Sequence, residues 1–497
     1  MIAQIATAAA ALAFLVLAGL ACRAAVRIRH LRKDTEARQA TALLLHRLAR
    51  RPTNGTADAQ RLRRIEEALA GGFPDSAVEA ARTVASTGSI PVAERLSLLR
   101  KVARWQDADE QAPARIGRVQ FDIVVVSHFG LPGGTTSANE AEIKIWHEQG
   151  LTVGLLHHPV YDWGPNAPVH PRIRALVDAG AARLIGDEAE VECGLALVRL
   201  PIVMMRPLER RPAIRAGRTA VLVNQTPFKY YGETGPREAA WDVATVARNV
   251  EEWLGRPVWY AGGPCVLAAL REHHAEETVG LDLADEPWNE VIAVDDWRLP
   301  GRREPDCRVR IGRHSRDHEL KWPRDPEVLL ACHPDRDPFE IHVLGGADIP
   351  ARTLDGLPAN WTVHEFNAVG VREFLAGIDV FAYFIADDGL EAFGRAPLEA
   401  MAAGVPVIMD PRFAPTFGPA ALYCEPGEVA AVAERLAADP AAYAAQRSAA
   451  WDHLERHFSA RALMERVSRC APSAQPRQRT APSSDRHRVP AGVDDRG

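Results

Sequence analysis

The sequence predicts an α/β protein made of two doubly wound halves, each on an open parallel sheet, facing each other across a cleft. Three observations predict it. Apolar runs such as "VQFDIVVVSH" (119–128) are continuous rather than alternating, as strands buried on both faces of a parallel sheet require. These runs take turns with helix-length segments, the pattern of crossover-connected parallel strands. The alternation then restarts near residue 308, after a Pro-, Arg- and Asp-rich crossover "DWRLPGRREPDC" (296–307). At 497 residues the chain is long enough for two or three such domains.

In chain order, residues 2–22, "IAQIATAAAALAFLVLAGLAC", carry no charge and match the ~20 residues a helix needs to cross a bilayer. No Lys or Arg precedes the run, which favours an anchor (1–22) over a cleaved leader. Residues 23–51 hold nine Arg/Lys against two acids, so the positive-inside rule leaves this flank and the bulk of the chain cytoplasmic, at a bacterial inner membrane. The basic flank is also compatible with lying along anionic membrane lipid. The segment 23–115 reads as helices joined by the turn-rich "RPTNGT", "GGFPDS" and "TGSIP", a membrane-proximal layer with no chemistry-bearing motif. At the other end, residues 471–497 contain four prolines, five arginines and no aromatic, a composition expected to be disordered.

The first half, 116–300, has strand candidates at 119–128, 151–158, 182–186, 219–225 and 257–262. Between the first two, "FGLPGGTTSANEAEIKIWHEQG" predicts a glycine-bearing loop and a helix capped at Thr136 or Ser137 and stopped at Gly150. Ligands on such sheets bind beyond the carboxyl ends of the strands, where His128, Gly133, Gly134, His157, His158, Asn224 and Gln225 fall. The second half, 301–470, offers "RVRIGRHS", "FEIHVLGG", "WTVHEF", "IDVFAYFI" and "GVPVIMD" as strands. Helices "VREFLAG", "GRAPLEAMAAG" and "VAAVAERLAA" stand between and after them.

The chemistry concentrates in "GLEAFGRAPLEAMAAGVPVIM" (389–409). Pro397 suits a first helical turn, and Gly404 a left-handed cap. Glu391 and the Phe393–Gly394 backbone therefore lie at a helix N-terminus, with Glu399 in the first turns. Unpaired N–H groups and the helix dipole there suit a phosphate, while the carboxylates suit sugar hydroxyls. Upstream, "IGRHSRDHELKWP" (311–323) places Arg313 and Lys321 beyond the first strand of this half, where two cations would neutralise a diphosphate. Asp387 and Asp388 read as loop residues shaping the site.

Together these residues resemble the donor-binding half of a GT-B fold glycosyltransferase, most similar to glycosyltransferase family 4. The family's Glu-x7-Glu motif is met by Glu391 and Glu399, its "GR…K" element by Gly312–Arg313 and Lys321, and its "EAMAxGxPVI" run by residues 399–408. Its first-half "GG" loop is met by Gly133–Gly134. The resemblance covers roughly 120–470. It implies retaining transfer from a nucleoside-diphosphate sugar, with no metal and no cofactor beyond that co-substrate. By position, Arg313 and Lys321 would bind the diphosphate, Glu391 with the Phe393 and Gly394 amides the sugar and phosphate, and Glu399 the ribose. Phe366 would flank the base, and Gly133 and Gly134 would approach donor phosphates and acceptor. The chain departs from the family at "LVNQTPF", where Asn224 and Gln225 replace a frequent histidine. His128, His157 and His158 are the candidates for a histidine contacting the donor sugar.

An anchored enzyme of this kind suits a lipid-linked or cell-surface polysaccharide acceptor. The same fold would also serve an epimerase, a phosphorylase or a non-catalytic nucleotide-sugar-binding scaffold. The net charge of −6 argues against nucleic acid as a partner. Seven scattered cysteines without a C-x-x-C pair indicate reduced thiols rather than a zinc site or disulfide framework.

Overall fold

The computed structural model describes residues 55–86, 90–110, 118–187, 189–301, 307–366, 368–472 and 474. The expected anchor and basic flank, and the tail beyond Ala474, lie outside these residues. Among the described residues no helix is long and apolar enough to cross a membrane.

The first half is a seven-stranded sheet with the order β3-β2-β1-β4-β5-β8-β9. Its strands are β1 (Val119–Ser127), β2 (Val153–His157), β3 (Arg183–Leu184), β4 (Glu190–Arg199), β5 (Ala213–Val223), β8 (Pro257–Ala261) and β9 (Asp282–Leu283). Every pairing in it is parallel. The strands β6 (Phe228–Gly232) and β7 (Gly235–Ala239) form a separate antiparallel hairpin. The strand β4, "EVECGLALVR", is central, pairing β1 on one side and β5 on the other, yet the apolar pattern does not predict it. Its outer end alternates and only its inner end is a continuous buried run, so its sequence reads as two short fragments.

The second half is a six-stranded parallel sheet. It comprises β10 (Val309–His314), β11 (Phe339–Leu344), β12 (Trp361–His364), β13 (Val380–Tyr383), β14 (Val407–Met409) and β15 (Leu422–Tyr423). Its order, β12-β11-β10-β13-β14-β15, reverses direction between β10 and β13, which makes the carboxyl ends of those two strands the topological switch point.

Helices cover both faces of each sheet, as parallel sheets demand. The helix Gly134–Glu148 is capped by Gly133 at φ 102°, not by Thr136 or Ser137. Thr136 is buried, and its hydroxyl instead donates to the Leu131 carbonyl, closing the loop before the helix. The helix Arg395–Ala403 begins after Gly394 and ends on Gly404 in the left-handed region, as expected. Three helices, Gly55–Ala70, Pro74–Ser86 and Val92–Glu110, share a small core around Phe73 and Leu98. Leu208 of the first half belongs to that core, and the Glu209 carboxylate accepts from the Ser76 amide, so the layer is docked rather than loose.

The chain crosses back at its end. In the helix Ala460–Cys470, Leu463, Val467 and Cys470 pack with Ile123, Trp146 and Leu195 of the first half. Ala471 and Ala474, at the start of the segment expected to be disordered, are buried in the same core. Conversely, Ile292 and Val294 join the second-half core with Phe381 and Met401.

Candidate active site

The two elements flanking the switch point carry the site. Beyond β10, the turn Glu319–Lys321 brings the Lys321 ammonium onto the Glu391 carboxylate, and the two form an ion pair. The Tyr383 hydroxyl, at the end of β13, donates to the same Glu391 oxygen at 2.6 Å and lies 3.4 Å from Lys321 Nζ. Burial opposes the charge on Lys321, but the Coulombic pull of Glu391 and Tyr383 and the bonds to both hold its pKa above the usual range. Burial likewise opposes the charge on Glu391, and Lys321 with Tyr383 outweighs it, so the carboxyl is held below its usual value. Both groups stay charged across the neutral range.

Arg313 is not at the mouth of the cleft. It is 0% exposed, sandwiched between Trp322 and Tyr383 with ring centroids 4.3 and 4.9 Å from its guanidinium carbon. Its guanidinium donates to the Phe384 carbonyl at 2.7 Å and to the Lys321 carbonyl. The cause is strand register: Arg313 is paired inside the sheet, opposite Val343 of β11, and its guanidinium is taken up by backbone carbonyls. Burial lowers its pKa to about 10, which still leaves it charged. It therefore shapes the turn that presents Lys321. Gly312 also serves packing, since a Cβ there would meet Ile378 Cδ1 at 2.3 Å.

Arg316 takes the exposed place, and sequence reasoning missed it. A Cβ on Gly133 would stand 3.7 Å from Arg316 Nε, so the first-half glycine loop and this second-half cation face each other across the cleft. The signal was present: Arg316 is five residues before Lys321 in "RDHELK", clear of the strand. A Cβ on Gly134, the next residue, would meet nothing within 4 Å, so that position opens onto free space.

Glu399 is 8% exposed and bonded to Arg395 Nε at 2.9 Å, with His314 Nε2 3.7 Å from its other oxygen. Burial holds the His314 ring below its ordinary pKa, and the nearby carboxylate only partly offsets this. The Phe393 ring is buried against Phe417 and Phe458, which fixes the backbone at the start of the helix Arg395–Ala403. Phe366 is 49% exposed on the loop after β12. The structure thus brings Lys321, Glu391, Gly394 and Glu399 around one helix start, sets Arg313 buried directly behind Lys321 and Tyr383, and leaves Gly312 and Phe366 in other surroundings.

The first half adds a buried charge network that the sequence did not announce. Arg199, at the end of β4, pairs with Glu142 at 2.5 Å, both 1% exposed, and Trp288 Nε1 donates to Glu142 at 3.0 Å. These residues line a small crevice with Asn224, Glu290, Ala392 and Phe393. Arg395 lies 3.6 Å from Glu290, which links this network to Glu399. Burial pushes the Glu290 carboxyl up to about 7, against the pull of Arg395 and Arg199.

The three candidate histidines hold backbone. His128 Nδ1 accepts from the Gly130 amide, His157 Nδ1 from Phe129, and His158 Nε2 from Leu208. Burial lowers the pKa of His128 to about 4 and of His158 to about 3, so both are neutral rings. Asn224 fixes two loops, accepting from the Leu200 amide and donating to Thr135 at 3.3 Å. Among the described residues, no group of three or more His, Cys, Asp or Glu could hold a metal ion.

Residues 326–438 match the family model described as glycosyl transferases group 1. The match lies within the second half and takes in Glu391, Gly394 and Glu399 but not Arg313 or Lys321. No curated protein matches the chain. Among solved structures, it is similar to Anabaena Alr3699/HepE in complex with UDP and glucose, at 14% identity over 71% of this chain and 100% of that one, TM-score 0.47. It is also similar to the lipopolysaccharide outer core galactosyltransferase WaaB in its apo form, at 10% identity over 71% and 99%, TM-score 0.43. A third similar structure is S. aureus TarM G117R with fondaparinux, alpha-GlcNAc-glycerol and UDP, at 13% identity over 60% and 57%, TM-score 0.40.

Proposed function

We propose that the chain is a retaining glycosyltransferase that moves a sugar from a nucleoside-diphosphate donor to a glycan or lipid-linked acceptor. The observation that carries this reading is the convergence of Lys321, Glu391 and Tyr383 at the β10/β13 switch point, beside the start of the helix Arg395–Ala403. In the reading, the diphosphate lies against that helix start. Its charge is met by Lys321 and Arg316, which favours departure of the nucleotide because negative charge grows on the leaving oxygen. Glu391, released from Lys321 as the phosphate arrives, accepts hydrogen bonds from the sugar hydroxyls. Glu399, clamped by Arg395, presents its remaining acceptor capacity to the ribose. The retaining outcome rests on the family resemblance.

Tethering through residues 1–22, with the catalytic halves on the cytoplasmic side, completes the proposal and motivates the lipid-linked acceptor. Membrane recovery after deletion of residues 1–30 tests that part: unchanged recovery removes it.

The reaction is tested by donor-dependent nucleotide release. A thermal-shift panel of UDP-, GDP-, ADP- and dTDP-sugars identifies the donor, since a ligand bound to the folded state raises apparent stability. Release should follow for the stabilising sugar and fall by about 100-fold or more in Lys321→Ala. Tight binding with no turnover in any membrane extract would make the chain a nucleotide-sugar-binding scaffold instead.

A further inference from the structure

We propose that the hairpin Phe228–Ala239 is a clasp that holds the two halves together, with Asp388 as the group it grips. The hairpin leaves the carboxyl end of β5 but does not join the first sheet. Its base is fixed in the first half: Phe228 stacks on His274 at 5.6 Å, the Tyr231 hydroxyl lies 2.9 Å from His274 Nε2, and Trp241 Nε1 donates to the Gln225 carbonyl at 2.9 Å. Its body reaches the second half. Tyr230 forms an antiparallel bridge with Gly389, and the Tyr231 amide donates to the Asp388 carbonyl at 2.8 Å.

The Asp388 side chain is gripped from both halves. Arg237 of the hairpin and Arg324 of the second half reach the same oxygen, Oδ2, at 2.5 and 2.8 Å. The two guanidinium carbons lie 5.6 and 5.7 Å from the Tyr230 ring centroid, so one aromatic ring serves both cations. The Asp388 side chain is 9% exposed whereas that of Arg237 is 55% exposed. That asymmetry makes the contact reversible. When the hairpin lifts, Arg237 regains water at little cost, and Arg324 keeps the carboxylate paired. A single bridge with one flanking backbone bond also lacks the cooperativity of a full ladder.

Asp388 stands three residues before Glu391, on the same short loop. Closing the clasp therefore fixes the loop that presents Glu391 to Lys321, and opening it frees that loop and parts the cleft wall. Asp388 and Arg237 act as positioning residues, through the loop rather than on a ligand. The clasp does not depend on which reaction the cleft performs.

Hydrogen exchange on the full chain tests it without donor or turnover. In Arg237→Ala, peptides covering 228–232 and 386–391 should exchange faster together, by about two- to fivefold, the scale of an exposed ion pair, as a sub-global opening of one unit requires. Peptides within β5 should keep their wild-type rates. Unchanged rates, or acceleration of the hairpin while 386–391 stays slow, would overturn the clasp. Wild-type protein supplies a second measurement free of any folding effect. Raising salt from about 0.05 to about 1 M screens the exposed Arg237 contact, and both segments should speed up in parallel. Salt-insensitive exchange in both would overturn the proposal equally. Either failure leaves glycosyl transfer untouched, because that reading is scored by nucleotide release.

Discussion

Lys321 and Glu391, 70 residues apart in the chain, form an ion pair at the switch point of the second sheet. Each group is held in its charged form by the other. A nucleotide-sugar diphosphate would compete with Glu391 for Lys321, exchanging an internal partner for an external one. Lys321→Ala should reduce kcat for nucleotide release by about 100-fold or more, the scale seen when a fixed charge facing a leaving group is removed. Because Glu391 then loses its cation, the same substitution should also destabilise the fold by roughly 2–3 kcal/mol. Lys321→Met combined with Glu391→Gln should recover part of that loss in chemical denaturation.

Arg313 and Arg316 should separate cleanly. Arg313→Ala leaves two buried carbonyls without their donor and removes a cation stacked on two rings, so it should lower stability by about 3 kcal/mol. Arg316→Ala, at an exposed position, should leave Tm unchanged while raising the donor KM about tenfold, the loss of one charge-assisted contact. Kinetics and thermal denaturation of the two variants side by side check this. A drop in Tm from Arg316→Ala would contradict its assignment to the cleft.

Gly263 sits where the first half meets the Glu391 loop. Its backbone is extended, at φ −179°, so alanine brings no strain of its own. A Cβ there would nevertheless stand 2.3 Å from the Ala392 carbonyl oxygen, inside contact distance of backbone that cannot yield. Gly263→Ala should therefore prop the halves apart, enlarging the radius of gyration in solution scattering and lowering activity. The secondary-structure content should stay unchanged. A variant with wild-type dimensions and activity would show that the halves absorb the methyl elsewhere.

Glu290 gives a pH signature. Its folded pKa of about 7 lies above the ordinary carboxyl value of 4.5, so between those limits the folded state binds the additional proton. Stability from this group is present at low pH and is lost as pH rises toward and through 7. Glu290→Gln, a neutral mimic, should raise stability at pH 8 by no more than about 3 kcal/mol and change it little at pH 5. Thermal denaturation at both values decides it. Equal shifts at both would locate the effect in packing rather than in the charge.

Most of this architecture is legible in the sequence, because parallel strands buried on both faces read as uninterrupted apolar runs. Helix ends marked by Gly150, Gly394 and Gly404 are equally plain. The hairpin Phe228–Ala239 is not, since "FKYYGETGPREA" has no apolar alternation; its partner is Asp388, on the far side of the cleft. The family resemblance singles out Glu391 and Lys321 as site residues, but their ion pair is visible only in the structure. The role of Arg313 is not legible either, because spacing says which residues lie near the end of a strand and not which way each side chain there points. Arg199 and Glu142 are hidden for the same reason. A charge at the end of an apolar strand looks like ordinary surface until the element packed above it is known.

The return of the final helix has a consequence for how the molecule is made. Leu463, Val467 and Cys470 complete the hydrophobic interior around Ile123 and Trp146, yet they leave the ribosome hundreds of residues after β1 does. The first half thus waits through the synthesis of the second with an uncovered apolar seat. Each of the larger missing side chains forgoes about 1.5–3 kcal/mol of burial until that helix emerges. A nascent chain halted before Ala460 should be sticky and protease-sensitive in the half that was translated first.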